Sequence, residues 1–411
     1  MSLEALSRSS GLAAASPREA DLDEAALKRM EDFYSRLVGA GLIPGAAALI
    51  ARGGKLAFVG LFGALKPDGP PMPLDAIFRI YSMTKPIVSV AAMRLVEEGR
   101  LILTDPLAKF APAFETARVG VERDGELTLA PLKRPIMIHD LFRHTSGITY
   151  GFTGGSEVQK RYLEANLMSQ EKTAAEHVET IARLPLRSQP GEVWDYSNST
   201  DVLGRVLGIL EGQRLGEILG RRVFDPLGMS DTAFFTPPDK LARRAEAFSL
   251  AMLENLRIDP IAAQAPPRCE FGGGGLVSTL SDYVRFCAML AGGGGARILS
   301  PRTIAYMAAN HLGAEVKVDH PLLAPGNGFG LGFGVRVAPG LAPTIGSVGE
   351  YYWGGMAGTA FFITPAEDLF AILLAQAPEH RDFLRQTFRN LVYSALDRGR
   401  LPSLRAKRGE G

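Results

Sequence analysis

Cysteine is scarce. Cys269 and Cys287 are the only two in 411 residues. Two are too few for a disulfide framework, and they do not form a C-x-x-C pair. Free thiols are therefore expected, as in a reducing compartment. Long apolar runs are missing too: no stretch approaches the roughly 18 residues of a membrane-spanning helix. The opening residues, MSLEALSRSSGLAAASPREADLDEAAL, are polar and mixed in charge, without the apolar centre of a signal peptide. A cytoplasmic protein with no membrane partner is expected. Charge of one sign is also lacking, with 45 Lys and Arg against 44 Asp and Glu. That balance gives no reason to expect a nucleic-acid partner. The six histidines show no H-E-x-x-H or other metal-ligand spacing, so no metal is expected. The G-x-S-x-G elbow and the phosphate-binding G-x-x-x-x-G-K-[ST] loop are absent as well.

What is present is an ordinary globular composition, 46% hydrophobic and 22% charged. Residues 1–21 read as a flexible leader. From Asp23 the spacing of Ala26, Leu27, Met30, Phe33 and Leu37 predicts an amphipathic helix. Two β-compatible runs then flank Gly53-Gly54, which predicts a tight hairpin. Residues 86–98 read as a buried helix, apolar on nearly all sides in its first half. Residues 106–267 change character, with short helical patterns at 136–143, 171–183 and 201–211 and no clear alternating strand. After 268 the chain returns to strands. MAGTAFFITP and DLFAILLAQ predict a second hairpin, followed by a helix over about 380–397. The order predicts an α+β fold: one antiparallel sheet built from both ends of the chain and flanked by helices, with a mostly helical domain inserted. The α/β domain comprises 22–105 and 268–398, the helical domain 106–267, and 399–411 is a tail.

Three short motifs carry the candidate chemistry. Ser82-Met83-Thr84-Lys85 has the form S-x-x-K. Three residues apart on a helix, the two side chains share a face, and a neutral amine there can take the serine proton. Pro86 is tolerated only in a helix's first turn, which puts Ser82 at the entrance, where free N–H groups favour a developing oxyanion. A second copy, Ser169-Gln170-Glu171-Lys172, lies in a polar run that reads as a solvated helix start. Tyr196-Ser197-Asn198 has the form Y-x-N, on a loop entering a helix. A phenol beside an ammonium can relay protons; alternatively Tyr196 is a packed residue and Asn198 a helix cap. Trp353-Gly354-Gly355 precedes an apolar run. It is either a place where backbone approaches a ligand or a glycine bulge beside a packed indole. His144 and Ser146 form a further imaginable pair, in a turn after a helix.

In this order the three motifs resemble those of the class C β-lactamase and penicillin-binding-protein superfamily, and most closely the family VIII carboxylesterases. The resemblance runs from about residue 23 to 398. It includes LFRHTSGI at 141–148, PGEVWDYSN at 190–198, FGGGGLVSTLSDYVRF at 271–286 and GFGLGFGV at 328–335. It implies a β-lactamase/transpeptidase-like fold in which Ser82 is the acylated nucleophile, Lys85 its base partner and Tyr196 the proton shuttle. Asn198, Trp353, Gly354 and Gly355 would contact substrate, the amides of Ser82 and Met356 would form the oxyanion hole, and the segment holding His144 and Ser146 would be structural. No cofactor is implied.

One departure bears on substrate. β-Lactamases and DD-peptidases usually carry Lys-Thr-Gly or His-Thr-Gly at the third motif. Neither tripeptide occurs in this chain, and Trp353 stands where the cation would be. An apolar wall there favours neutral small-molecule esters over anionic β-lactams. The expectation is a serine esterase acting on short-chain acyl esters, with weak cephalosporin hydrolysis as a side activity. An acyltransferase of the same fold, a β-lactamase or DD-peptidase, and a non-catalytic binding module are the rivals.

Overall fold

The computed structural model describes residues 2–396, apart from 170, 259, 294 and 319; the expected tail at 399–411 lies outside them. The first helix is α1, Ser2–Ser10. The expected flexible leader is thus partly helical: Leu6 and Leu12 are buried in the main core, which a short polar stretch with isolated leucines does not announce. Helix α2, Glu24–Gly39, begins where Asp23 accepts the Ala25 N–H, and it buries Ala26, Leu27, Met30, Tyr34 and Leu37.

The predicted hairpin is β1, Gly45–Arg52, and β2, Lys55–Gly63. Its two-residue turn has φ of 60° at Gly53 and 70° at Gly54, the left-handed region that glycine enters without strain. The later strands are β3 (Asn327–Phe329), β4 (Gly334–Arg336), β5 (Tyr351–Gly354), β6 (Ala360–Thr364) and β7 (Leu369–Ala375). All seven form one antiparallel sheet in the order β2-β1-β7-β6-β5-β4-β3. Strand β7 thus sits beside β1, joining the two ends of the chain. Ala46, Ala48 and Ile50 face α2 and the last helix, α7 (Arg381–Ser394), together with Leu369, Ala371, Leu373 and Ala375. Ala47, Leu49, Phe370, Ile372 and Leu374 face the main core, the period-two division of a sheet buried on both sides.

The main core holds α3 (Thr84–Glu97), α5 (Ser199–Glu211) and α6 (Leu280–Leu290). Eleven of the fourteen residues of α3 are buried, as its all-round apolar pattern predicts. The stretch 106–267 includes α4, Ala174–Arg183, near the expected position. It also contains an unexpected hairpin, Arg118–Arg123 with Glu126–Pro131. Its residues are mostly solvent-facing (Leu129 is 57% exposed), but Val119, Val121, Leu127 and Leu129 do alternate with polar or small residues on either side of Asp124-Gly125, and that short pattern with its turn was the available signal. A separate two-strand pair, Ile77–Arg79 with Val277–Thr279, ties the entrance of α3 to the glycine run at 272–275. Among the described residues no helix is long and apolar enough to cross a membrane.

Candidate active site

Ser82 occupies a 3-10 turn, Tyr81–Met83, that runs directly into α3. Tyr81 has φ of 43°, an uncommon conformation for a side chain of its size. The bend is held from several elements. Leu276 N–H donates to Thr84 Oγ1 (3.1 Å), Tyr283 Oη to the Met83 carbonyl (3.1 Å) and Gln376 Nε2 to the Arg79 carbonyl (3.1 Å). Pro86 is the third residue of the helix, in its first turn, as expected. The amide of Ser82 therefore lies where a helix start leaves N–H groups without intrahelical acceptors.

Lys85 is buried, and its Nζ lies 3.4 Å from Ser82 Oγ. It also donates to the Gly273 carbonyl (2.5 Å) and to the Tyr150 hydroxyl (3.2 Å). Tyr196 offers Lys85 its ring, with the nitrogen 4.5 Å from the centroid, a cation–π distance. The hydrogen-bonded phenol is thus Tyr150, which belongs to none of the three motifs although it lies two residues after the HTSGI segment. Burial, and then the charge of Asp201 and the neighbouring Tyr196, push the Tyr150 hydroxyl well above its ordinary range. Gly273 lies in the glycine run 272–275, outside the three motifs. A Cβ there would come within 2.5 Å of Asp201 Oδ2 and 2.8 Å of the Tyr150 oxygen, so only glycine lets its carbonyl reach Lys85.

The 144–149 loop positions the Y-x-N segment. Asp195 N–H donates to the His144 carbonyl (2.9 Å), His144 Nδ1 lies 3.1 Å from Ser197 Oγ, and Ser146 Oγ lies 2.8 Å from Ser199 Oγ. His144 therefore engages the loop that carries Tyr196, and Ser146 the first residue of α5 that follows it. Burial, and then the charges of Lys85 and His320, hold the His144 imidazole well below its usual range. Asn198 donates to the Thr149 carbonyl (2.8 Å). It lines neither of the two cavities that border Ser82. At the second S-x-x-K, Lys172 donates to the Ala165 carbonyl (2.9 Å), and Ser169 Oγ accepts the Glu171 N–H; that pair makes no S–K contact.

The third motif is the end of β5. Within β5, strand β4 pairs with Tyr351 and Tyr352, whereas Trp353 and Gly354 pair with Phe361 and Ala360 of β6 and, among the described residues, have no strand partner on the β4 side. The other edge of β5 is thereby open from Trp353 onward. Met356 lies in the turn between β5 and β6 and not at the start of a strand. That turn is closed by Gly355 N–H to the Thr359 carbonyl (2.9 Å) and Gly358 N–H to the Gly355 carbonyl (3.1 Å), bonds that do not use the Met356 amide. A Cβ at Gly355 would lie 2.2 Å from the Ile80 carbonyl. Its absence lets the turn pack against the bend that presents Ser82. Trp353 is buried, and its indole N–H donates to the Tyr196 hydroxyl at 3.4 Å.

Two cavities meet at Ser82. One, of about 50 Å³, is walled by Phe152, Met168, Ile258, Ile261, Phe271 and Met356. The other, of about 510 Å³, is bordered by Trp353, Tyr352, His320 and arginines of α7. Sequence looked for a cation only at position 353, whereas the fold brings Arg381 and Arg385 into the same cleft. These groups are already engaged: Arg385 donates to the Gly355 carbonyl and to the Thr359 carbonyl, and Arg381 contacts Met356 Sδ and Asp382. Burial draws the Arg385 guanidinium down to about 10.

The Beta-lactamase family model matches residues 30–394. The chain belongs to the Beta-lactamase family. A Mycobacterium tuberculosis relative, Protein Rv1367c, is 37% identical over 350 residues, covering 82% of this chain and 86% of its own. Esterase EstB of Burkholderia gladioli is 29% identical over 381 residues, covering 87% and 92%. The solved structure of EstCE1, described as a hydrolase with promiscuous acyltransferase activity, superposes with a TM-score of 0.75 at 26% identity, covering 90% of this chain and 99% of that one. The expected superfamily and its β-lactamase-like fold are thereby borne out.

Proposed function

We propose that this Beta-lactamase family protein is a serine carboxylesterase of the family VIII type, hydrolysing short-chain acyl esters through an acyl-enzyme on Ser82. The observation that carries the reading is the contact of Ser82 Oγ with the buried Lys85 Nζ, which also binds Tyr150 and stacks over Tyr196. In the proposed reaction Ser82 Oγ attacks the ester carbonyl and gives its proton to the Lys85–tyrosine group. The amides of Ser82 and Met356 hold the oxyanion, a role worth about 10²–10³ in rate per donor. Tyr196 returns a proton to the leaving alkoxide, and water then hydrolyses the acyl-enzyme. The reaction site falls between the sheet-bearing segments 22–105 and 268–398 and the inserted segment 106–267.

The cavity of about 50 Å³ beside Ser82 supports a short acyl group, and the one of about 510 Å³ supports a bulkier alcohol. Trp353 and the internally engaged arginines support a neutral ester over an anionic β-lactam. EstB is named an esterase, which favours the same reading. The description of EstCE1 supports a second one, transfer of the acyl group to an alcohol. The test is kcat/KM for 4-nitrophenyl esters of increasing acyl length, run beside nitrocefin and with a competing alcohol. Rates that fall steeply beyond about four carbons, with nitrocefin far slower, are expected. Preference for long acyl chains or for nitrocefin would overturn the assignment, and ester products in place of acid would favour the transferase.

A further inference from the structure

Asp201 is the third residue of α5, and none of the three motifs includes it. Its carboxylate is buried apart from a small exposed fraction, and Oδ1 accepts the N–H of Gly273 at 2.8 Å. The carbonyl of that same glycine accepts from Lys85 Nζ at 2.5 Å. One residue of the glycine run thus has its donor held by Asp201 and its acceptor held by Lys85. Gly273 has no side chain with which to fix its own conformation, and the run around it is Gly272–Gly275. The polar contacts of Lys85 Nζ are this carbonyl, the Tyr150 hydroxyl and Ser82 Oγ, with the Tyr196 ring 4.5 Å away, and the carbonyl is the shortest of them. We infer that Asp201 is a positioning residue, which orients the Gly273 peptide so that its carbonyl fixes the Lys85 nitrogen beside Ser82. Asp201 also borders the cavity of about 50 Å³, but in this scheme it acts on Lys85 through Gly273.

The inference rests on the proposed role of Lys85. Asp201→Ala and Asp201→Asn are compared in the full chain and again in a Lys85→Ala background, by kcat/KM for a short ester and by the rate at which a fluorophosphonate labels Ser82. Asp201→Ala should lower both rates tenfold or more. Asp201→Asn, which keeps an oxygen to accept the Gly273 N–H, should recover most of the loss. In the Lys85→Ala background neither change should lower the residual rate further, because the residue acts through Lys85. Should Asp201→Ala not fold, Asp201→Thr, which lacks the reach of a carboxylate, takes its place. Wild-type rates in Asp201→Ala, equal losses in Ala and Asn, or the same fold-loss in both backgrounds would overturn the inference. A Lys85→Ala enzyme that kept wild-type activity would instead refute the reading of Lys85, whereas an inactive Lys85→Ala beside a fully active Asp201→Ala would refute this inference alone.

Discussion

The indole N–H of Trp353 points its hydrogen bond at the hydroxyl of Tyr196, 3.4 Å away, with the two rings 5.3 Å apart between centroids. Position 353 is thus both a wall of the larger cavity and a neighbour of the proposed proton shuttle. Two variants separate these roles. Trp353→Phe keeps most of the apolar wall and removes the donor, so it should lower kcat two- to tenfold and leave ester selectivity nearly unchanged. Trp353→Ala also removes the wall and should shift the ratio of kcat/KM between small and bulky alcohols by about tenfold, the scale of a lost apolar contact in a pocket. Unchanged selectivity in Trp353→Ala would show that the indole does not line the substrate path.

Lys85 and the two tyrosines should behave as one unit. Lys85→Ala and Tyr196→Phe are each expected to cost about 10³ or more in kcat, with a double mutant little worse than either single one, because groups sharing one proton transfer are non-additive. Tyr150→Phe removes the hydroxyl that accepts from Lys85 at 3.2 Å and should cost about 10–100-fold. Steady-state kinetics of the four variants check this. Fully additive losses would mean that the residues act separately.

Much of this was legible in the sequence, for reasons that differ by element. The Gly53-Gly54 hairpin, the largely apolar helix expected over 86–98 and found at Thr84–Glu97, and the strand pair at 360–375 announce themselves through local pattern, and their fold follows. The Ser82–Lys85 contact was legible because three residues of helix fix it. Tyr150, Gly273 and Asp201 were not, because they converge on Lys85 from 65, 188 and 116 residues away in sequence, and only the tertiary fold brings them together. Arg381 and Arg385 escaped for the same reason. The hairpin at 118–131 does alternate, with Val119, Val121, Leu127 and Leu129 around Asp124-Gly125, but each run offers only two apolar residues among charged ones; helix α1 has two leucines in a polar stretch, too little for a periodicity.

A pair of histidines should govern part of the acid stability. His139 Nε2 lies 3.1 Å from His311 Nδ1, and His311 Nε2 lies 2.7 Å from the Tyr306 carbonyl. The carbonyl only accepts, so His311 carries its proton on Nε2 and His139 donates to Nδ1. Burial, followed by the charges of Arg143 and His311, draws His139 down to about 4, and burial also lowers His311. An unfolded histidine titrates near about 6.5. Between those values the unfolded chain binds more protons, so the contribution to stability is present above about pH 6.5 and is lost as pH falls towards 4. Asp282, pushed up to about 6 by burial, works in the opposite direction, so the comparison must be with a variant. The fall in Tm from pH 7 to pH 4 should be smaller in His139→Gln than in wild type. Equal falls would show that the pair does not titrate with unfolding.

The second S-x-x-K supplies an internal control. Lys172 is bound to the Ala165 carbonyl and not to Ser169, so Ser169→Ala should keep at least half of wild-type kcat/KM. A loss of tenfold or more would place the chemistry at the wrong serine.

The central claim is an acyl-enzyme on Ser82, and the direct measurement is the mass of the protein after reaction with a fluorophosphonate, followed by peptide mapping. One adduct per chain on the peptide containing Ser82, absent in Ser82→Ala together with ester hydrolysis, is the predicted result. An adduct on Ser146 or Ser169, or ester hydrolysis that survives Ser82→Ala, would contradict it.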